Sequence, residues 1–243
     1  MAEEKRFAKE REKIESFSDF SNVYNFKKDF KYSYKTDAGL TEEIVREISA
    51  QKDEPEWMLQ ARLKSLELFY KIDYPTWGPD ISELQMDNIV TYVRPDAGLK
   101  ADWNEVPEDI KDTFDRLGIP EAEKTSLAGV GAQYDSEVVY HSIQEELVKQ
   151  GVVYTDFDTA LKEHEDIVRK HFMKLIPPTD HKFAALHGAV WSGGSFVYVP
   201  EGVQVDIPLQ SYFRLNAPGA GQFEHTMIVV EKGAKVHFIE GCS

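Results

Sequence analysis

Cysteine is nearly absent from this chain: Cys242 is the one thiol in 243 residues. A single thiol cannot close an intramolecular disulfide, and by itself it makes no cysteine-rich metal site. No run of about 18 apolar residues occurs, which excludes a helical membrane span. Met1 to Arg11 alternates charges without an apolar core, so no secretory leader is expected and the expected location is cytoplasmic. Cations are also scarce. The 28 Lys and Arg face 43 Asp and Glu, for a formal net charge of −15, and they cluster on no basic face. That excludes a phosphate-backbone partner from the leading readings. There is no G-x-x-x-x-G-K-[ST] loop, so the chain is not expected to hydrolyse ATP. GVGAQYD, from Gly129, lacks the third glycine of a dinucleotide loop and reads as a turn before a helix.

What is present fits a folded protein, with 42% hydrophobic and 29% charged residues. Residues 1–36 read as a charged and aromatic arm. Residues 37–178 read as a mainly helical domain. Thr41 is placed to cap a helix with Ile44, Val45 and Ile48 inward. Asp53, Pro55 and Glu56 suggest a second start, with Leu59, Leu63, Leu66 and Tyr70 on its apolar face. Met86 to Val93 reads as a strand. A helix opened by Pro107 would turn Ile110, Phe114 and Leu117 inward and stop at Gly118 and Pro120. Ser136 to Gln150 and Thr159 to Lys174 are further helix candidates, the second capped by Asp158 or Thr159.

Beyond Pro178 the character changes to Val, Ile, Phe and Gly, with strands expected at Phe196–Val199, Val203–Ile207 and Met227–Val230. FVYVPEGVQVDIP, from Phe196, echoes MIVVEKGAKVHFI, from Met227, each meeting a turn that ends in glycine (Gly202, Gly233). Such a strand–turn–strand unit is what a β-solenoid or sandwich requires, because each copy leaves a face that only a neighbour buries. A strand through Val236, Phe238 and Ile239 so close to Ser243 suggests a fragment, a split gene product, or a chain that normally continues against a partner.

Cys242 has two readings: a buried small hydrophobe, or a nucleophilic thiolate able to accept sulfur or ligate iron. Arg214 and Asn216 alternate on one strand face, either toward solvent or as buried polar groups needing partners. His164 and His171 read as helix surface, while His225 and His237 could approach Glu224 or Glu240. Asp206, Glu224 and Glu240 are the sole carboxylates for a glycosidase site, and no sugar-stacking platform accompanies them.

Several blocks resemble the SufB/SufD family of iron–sulfur cluster assembly proteins: GLTEEIVREISAQKDEPEWMLQARLKSLE from Gly39, LAGVGAQYDSEVVYH from Leu127, GVVYTDFDTALKEH from Gly151, VYVPEGVQVDIPLQSYFRLN from Val197 and FIEGCS from Phe238. EPEWM with GAQYDSE resembles the SufB branch. The resemblance implies an α+β fold, a helical N-terminal domain followed by the first turns of a right-handed parallel β-helix over 179–243, truncated here. It implies a scaffold and sulfur acceptor without an ATPase site of its own. The implied partners are a SufD-like protein, the ATPase SufC, and a cysteine desulfurase with its sulfur carrier. A nascent iron–sulfur cluster, and in some members reduced flavin, would belong to the full complex, with neither expected on this portion alone. Carried over by motif, Cys242 would accept or relay sulfur, and Arg214 and Asn216 would line its route. An arginine near the thiol would favour the thiolate. The alternative is a structural β-helix module without sulfur handling. The family's second essential cysteine and its SufC-docking helices have no counterpart in these residues.

Overall fold

A computed structural model describes residues 31–116 and 127–243. The expectations for residues 1–30, and for Leu117, Gly118 and Pro120, lie outside the described residues. The fold is mixed α/β. Strand β1 (Tyr32–Lys35) pairs antiparallel with β2 (Val93–Pro95). Two larger sheets follow, built from β3 (Gly129–Tyr134), β4 (Glu137–Ile143), β5 (Val153–Asp156), β6 (Ser195–Val199), β7 (Leu209–Arg214), β8 (Met227–Val230) and β9 (Phe238–Cys242). Their orders are β4-β3-β7-β9 and β5-β6-β8, so each draws strands from both sides of residue 178.

The echo in the sequence is the register of the structure. Phe196 pairs in parallel with Met227 and Gln204 with Lys235, at the spacing of the echo; past that corner the spacing shortens, and Phe238 pairs with Leu209 where the echo would set it against Ile207. Gly202 and Gly233 both turn with positive φ, at 76° and 72°, and lie one above the other, where a side chain would be strained. Gln204 Nε2 reaches across this turn to the carbonyl of Gly233 at 2.8 Å. Between these corners Val203–Ile207 forms only the single bridge at Gln204 instead of the expected strand, because a chain rounding a corner cannot keep a ladder.

Helix α1 (Glu42–Lys52) starts as expected, with the Thr41 hydroxyl accepting from the Ile44 amide and Ile44, Val45 and Ile48 buried. Helix α2 (Glu56–Lys71) departs from expectation. Asp53 is the left-handed C-cap of α1, and Pro55 takes the N-cap of α2. Its buried stripe is Met58, Arg62, Ser65, Leu66 and Phe69, while Tyr70 is exposed. The rotation has a charged cause. Arg62 is fully buried and makes a two-pronged pair with Glu54, Nε to Oε2 at 2.7 Å and Nη2 to Oε1 at 2.6 Å. It also donates to the carbonyls of Ala189 and Trp191, and its guanidinium lies 4.4 Å from the Trp191 ring centroid. A hydropathy pattern does not foresee an arginine at the centre of a core face.

Five other segments differ. Met86–Asn88 is a 3-10 turn, and the strand begins only at Val93. GVGAQYD is the buried strand β3 and its turn; Asp135, with φ 54°, reverses the chain into β4. The expected helix 136–150 is therefore strand β4, rich in Val138, Val139 and Tyr140, then a short α4 (Glu145–Lys149). The 159–174 helix is split. Asp156 caps α5 (Phe157–Glu163), and α6 (Glu165–His171) restarts at His164, whose ring stacks flat on Phe196 at 5.9 Å. The Pro107-led helix is α3 (Glu108–Arg116), with Ile110 and Phe114 buried. Beyond Pro178, α7 (Lys182–Val190) is a helix within the segment read as strands. It lies against α2 where Gly188 allows the approach; a Cβ there would meet the Ser65 hydroxyl at 2.5 Å.

The β4-β3-β7-β9 sheet is covered on both faces. One face meets α3 through Val130, Ala132, Tyr134 and Tyr212. The other meets the β5-β6-β8 sheet through Leu209, Val197, Val199 and Phe238. Removing the Glu54 carboxylate leaves Arg62 buried and unpaired, so Glu54→Ala is expected to cost about 3–5 kcal/mol in denaturant unfolding. The paired apolar replacement Glu54→Leu with Arg62→Met is expected to recover most of that loss.

Candidate functional site

Cys242 is the last residue of β9, in register with Phe213 of β7, which is in register with Gln133 of β3. In-register parallel neighbours share a face, and that face is the one carrying Leu209, Ser211 and Phe213 toward the opposing sheet. Phe238, Glu240 and Cys242 therefore continue the inward face one rung further. Gly131, Ser211 and Glu240 form the neighbouring column. Gly131 is required there, because a Cβ would meet the Tyr154 hydroxyl at 2.9 Å. That hydroxyl donates to the Gln210 carbonyl at 2.8 Å and contacts Ser211 Oγ at 2.7 Å, and Ser211 Oγ contacts Ser195 Oγ at 2.6 Å. A string of hydroxyls thus runs between the sheets toward Glu240, which accepts from Thr226 Oγ1 at 3.2 Å.

The thiol is free and exposed. Partial burial, and then the carboxylates of Glu224 and Glu240, push its pKa up. Glu240 is itself raised, chiefly by burial. The buried reading of Cys242 therefore does not hold in these residues, and the charges acting on the thiol are acidic.

Arg214 is not beside it. Strand alternation turns Arg214 to the α3 side of the sheet, opposite Phe213 and Cys242. It is buried, and its Nη1 reaches Ser243 Oγ at 3.5 Å. Asn216 is also buried. Its amide donates to Asp135 Oδ1 at 2.6 Å and its Nδ2 to the Tyr32 hydroxyl at 3.3 Å. Asp135 Oδ1 accepts from the Ala217 amide too, and the Asp135 amide donates to the Arg214 carbonyl. Arg214 and Asn216 thus share one polar anchor at the end of β7, and the structure separates that anchor from the thiol by the thickness of a sheet. Sequence reasoning missed Asp135; its place before Ser136, after a run of alternating residues, was the available turn signal.

His225 does not approach a carboxylate. Its Nδ1 lies 2.8 Å from His187 Nε2, and its ring packs on Phe157 and Phe172. Burial, then the neighbouring His187 and Arg62, bring His225 down to about 3, and burial with Arg62 brings His187 down to about 4. His237 is exposed. Among the described residues no three His, Cys, Asp or Glu side chains are arranged to hold a metal ion, and no helix is long and apolar enough to cross a membrane.

Among the described residues, parallel strands stack in a mixed α/β fold, and Cys242 closes β9 beside Phe213 of β7. The family model for the N-terminal region of SufBD proteins matches residues 41–211, and the chain belongs to that family. It is 59% identical over 210 residues to the iron–sulfur cluster assembly protein SufB of Bacillus subtilis, covering 86% of this chain and 45% of that protein. It is 56% identical over 220 residues to an iron–sulfur cluster assembly SufBD family protein of Staphylococcus aureus strain MRSA252, covering 90% of this chain and 47% of that one. The chain therefore spans about half the length of the curated relatives it matches.

Two outcomes follow. Removing a negative charge beside a thiol lowers its pKa, so Glu240→Gln is expected to speed alkylation of Cys242 at neutral pH and move its rate–pH curve to lower pH. The buried His187 and His225 bind protons more readily unfolded, near 6.5, than folded, near 4 and 3. Their stabilisation is complete above that unfolded value and is lost as pH falls from it toward 4. Unfolding midpoints measured across this window are expected to drop on acidification, and less so in a His187→Gln, His225→Gln variant.

Proposed function

We propose that this chain is the N-terminal part of a SufB-type scaffold that accepts sulfur for iron–sulfur cluster assembly, with Cys242 as the receiving thiol. The observation that carries the reading is the register that seats Cys242 on the inward face above Phe213, in a chain of the SufBD family. In this reading the rungs, 31 residues apart at Phe196 and Met227, are the first turns of a right-handed parallel β-helix that the longer protein continues. The Cys242 thiolate attacks the outer sulfur of a persulfide on a cysteine desulfurase or its carrier. One S–S bond breaks on the donor as another forms on Cys242, and the donor cysteine leaves as a thiolate, which takes up a proton; no external oxidant is consumed.

Arg214 and Asn216 enter this reading from the far face of the sheet, as residues that fix the end of β7 against which Ser243 and Cys242 are held. ATP hydrolysis falls to SufC, and a SufD-like subunit supplies the second half of the scaffold. The nascent cluster is cargo of the assembled complex, and reduced flavin likewise belongs to the complex. A second reading, a strand-stacking module with no sulfur chemistry, has one observation in its favour: Glu224 and Glu240 oppose ionisation of the thiol.

The two readings separate in one experiment. The full-length protein is incubated with desulfurase, carrier and cysteine, and persulfide is mapped by mass spectrometry. Sulfur acceptance predicts added sulfur on Cys242, and loss of cluster assembly in Cys242→Ser with subunit association retained. An unmodified Cys242, together with normal assembly by the variant, would leave the structural reading standing.

A further inference from the structure

Far along the chain from the thiol, the loop after α2 and the start of α7 form an exposed aromatic surface. Trp77 is 69% exposed and meets the His181 ring edge-on at 5.8 Å. His181 contacts Phe183 at 6.3 Å, and Phe183 contacts Tyr74 at 5.9 Å, so the four rings form one continuous patch. His181 and Phe183 also wall a groove of about 350 Å³ that includes Met173, Ile176 and Glu224. Three of the rings, His181, Phe183 and Tyr74, are held in place around Lys182. His181 Nδ1 accepts from the amides of Phe183 and Ala184 at the start of α7. The buried Lys182 ammonium donates to the carbonyls of Phe69 and Ile72 and lies 4.7 Å from the Tyr74 ring centroid. A contiguous, pre-ordered aromatic surface left in water is the signature of a docking site, and little conformational entropy is lost when it is covered.

The charge around it selects the occupant. From Ile72 to Val93 there is no Lys or Arg, while Asp73, Asp80, Glu83 and Asp87 are all exposed. Asp180 stands exposed beside His181, and Glu224 borders the groove. Lys182 is buried against the Tyr74 ring and Lys174 lies between Met173 and Ile176, so the free acidic side of the patch is that of Asp73, Asp180 and Glu224. Aromatic faces beside such carboxylates attract a cation through the ring quadrupole and through the carboxylate charge. Arginine suits them better than lysine, because its planar, weakly hydrated guanidinium can stack on a ring while its edge donates to carboxylates.

We propose that Tyr74, Trp77, His181 and Phe183, with the adjoining groove, dock an arginine-bearing segment of a partner protein, its guanidinium stacked on Trp77 and a neighbouring apolar side chain seated beside Ile176. The proposal does not rest on the sulfur chemistry assigned to Cys242, although Glu224 both borders the groove and acts on that thiol.

The test titrates the intact protein with three fluorescein-labelled peptides of alternating sequence, Arg-Leu, Lys-Leu and Glu-Leu, read by anisotropy at several salt concentrations. The Arg-Leu peptide is expected to bind most tightly and the Glu-Leu peptide not at all. Trp77→Ala is expected to weaken the Arg-Leu peptide about two- to five-fold and to remove its advantage over Lys-Leu. Ile176→Ser, which removes the apolar seat without adding charge, is expected to weaken both cationic peptides, and Asp80→Asn with Glu83→Gln to flatten the salt dependence. Neutralising Glu108 and Glu145, on α3 and α4, is the control and is expected to change nothing. Trp77 and Ile176 are both exposed, so the fold is expected to survive, as circular dichroism would verify. Equal weakening by the control pair, which marks diffuse attraction to an acidic protein, or unchanged Arg-Leu binding by Trp77→Ala overturns the proposal.

Discussion

Which face of the sheet the thiol occupies is set by a register of single-residue fineness. A slip of one residue in β9 against β7 would carry Cys242 from the inward face to the α3 side and take Phe238 out of the core it shares with Leu209 and Val197. Several independent contacts oppose that slip. The stacked glycine corners at Gly202 and Gly233 fix where each rung turns, and the Lys235 amide bonded to Val203 and the Val205 amide bonded to Lys235 lock the corner strands. Past the corner, the Leu209 amide bonded to the His237 carbonyl and the Ser243 amide bonded to the Phe213 carbonyl hold both ends of β9. The rest of the molecule keeps this stack rigid.

That rigidity comes from charge as much as from apolar packing. Arg62 and Glu54 bind the start of α2 to the end of α7, and through Trp191 to the aromatic cluster under β6. Lys52, also buried, donates to Asp158 at 2.7 Å and to Glu137 at 3.4 Å, tying α1 to the start of α5 and to β4. Burial alone would drive its proton off; the carboxylates of Asp158 and Glu137 outweigh burial and hold its pKa above the ordinary lysine value. Each ion is compensated only if helices and sheets sit in one arrangement. Pairs of this kind add little net stability over apolar residues of similar size, and they penalise every alternative packing that would strand a charge.

The sequence was most legible where one interaction decided the local structure. Thr41 capped α1 as its side chain dictated, and the Phe196 and Met227 echo gave the pairing partners directly. It was least legible where a distant strand or charge overrode the local signal. GVGAQYD looks like a turn because its glycines are read as flexibility, yet Gly131 is small to admit the Tyr154 hydroxyl. Ser136 to Gln150 carries helix formers at its end, and β4 forms because β3 offers Val138, Val139 and Tyr140 an edge. The apolar stripe of α2 was misplaced because Arg62, a residue assigned to surfaces by habit, takes the core position. At the site, motif resemblance picked out Cys242, Arg214 and Asn216, and only the register could show that a sheet divides the first from the other two.

That division bears on how the thiol is controlled. An arginine beside Cys242 would have lowered its pKa and favoured the thiolate. Burial, and then Glu224 and Glu240, do the reverse and push its pKa up. Thiol reactivity at this edge therefore depends on the charge of what approaches it. A cation that neutralises either carboxylate moves the equilibrium toward thiolate, while an anionic approach moves it further away. The same two carboxylates that oppose ionisation of the thiol would attract a cation, and that cation would relieve the opposition.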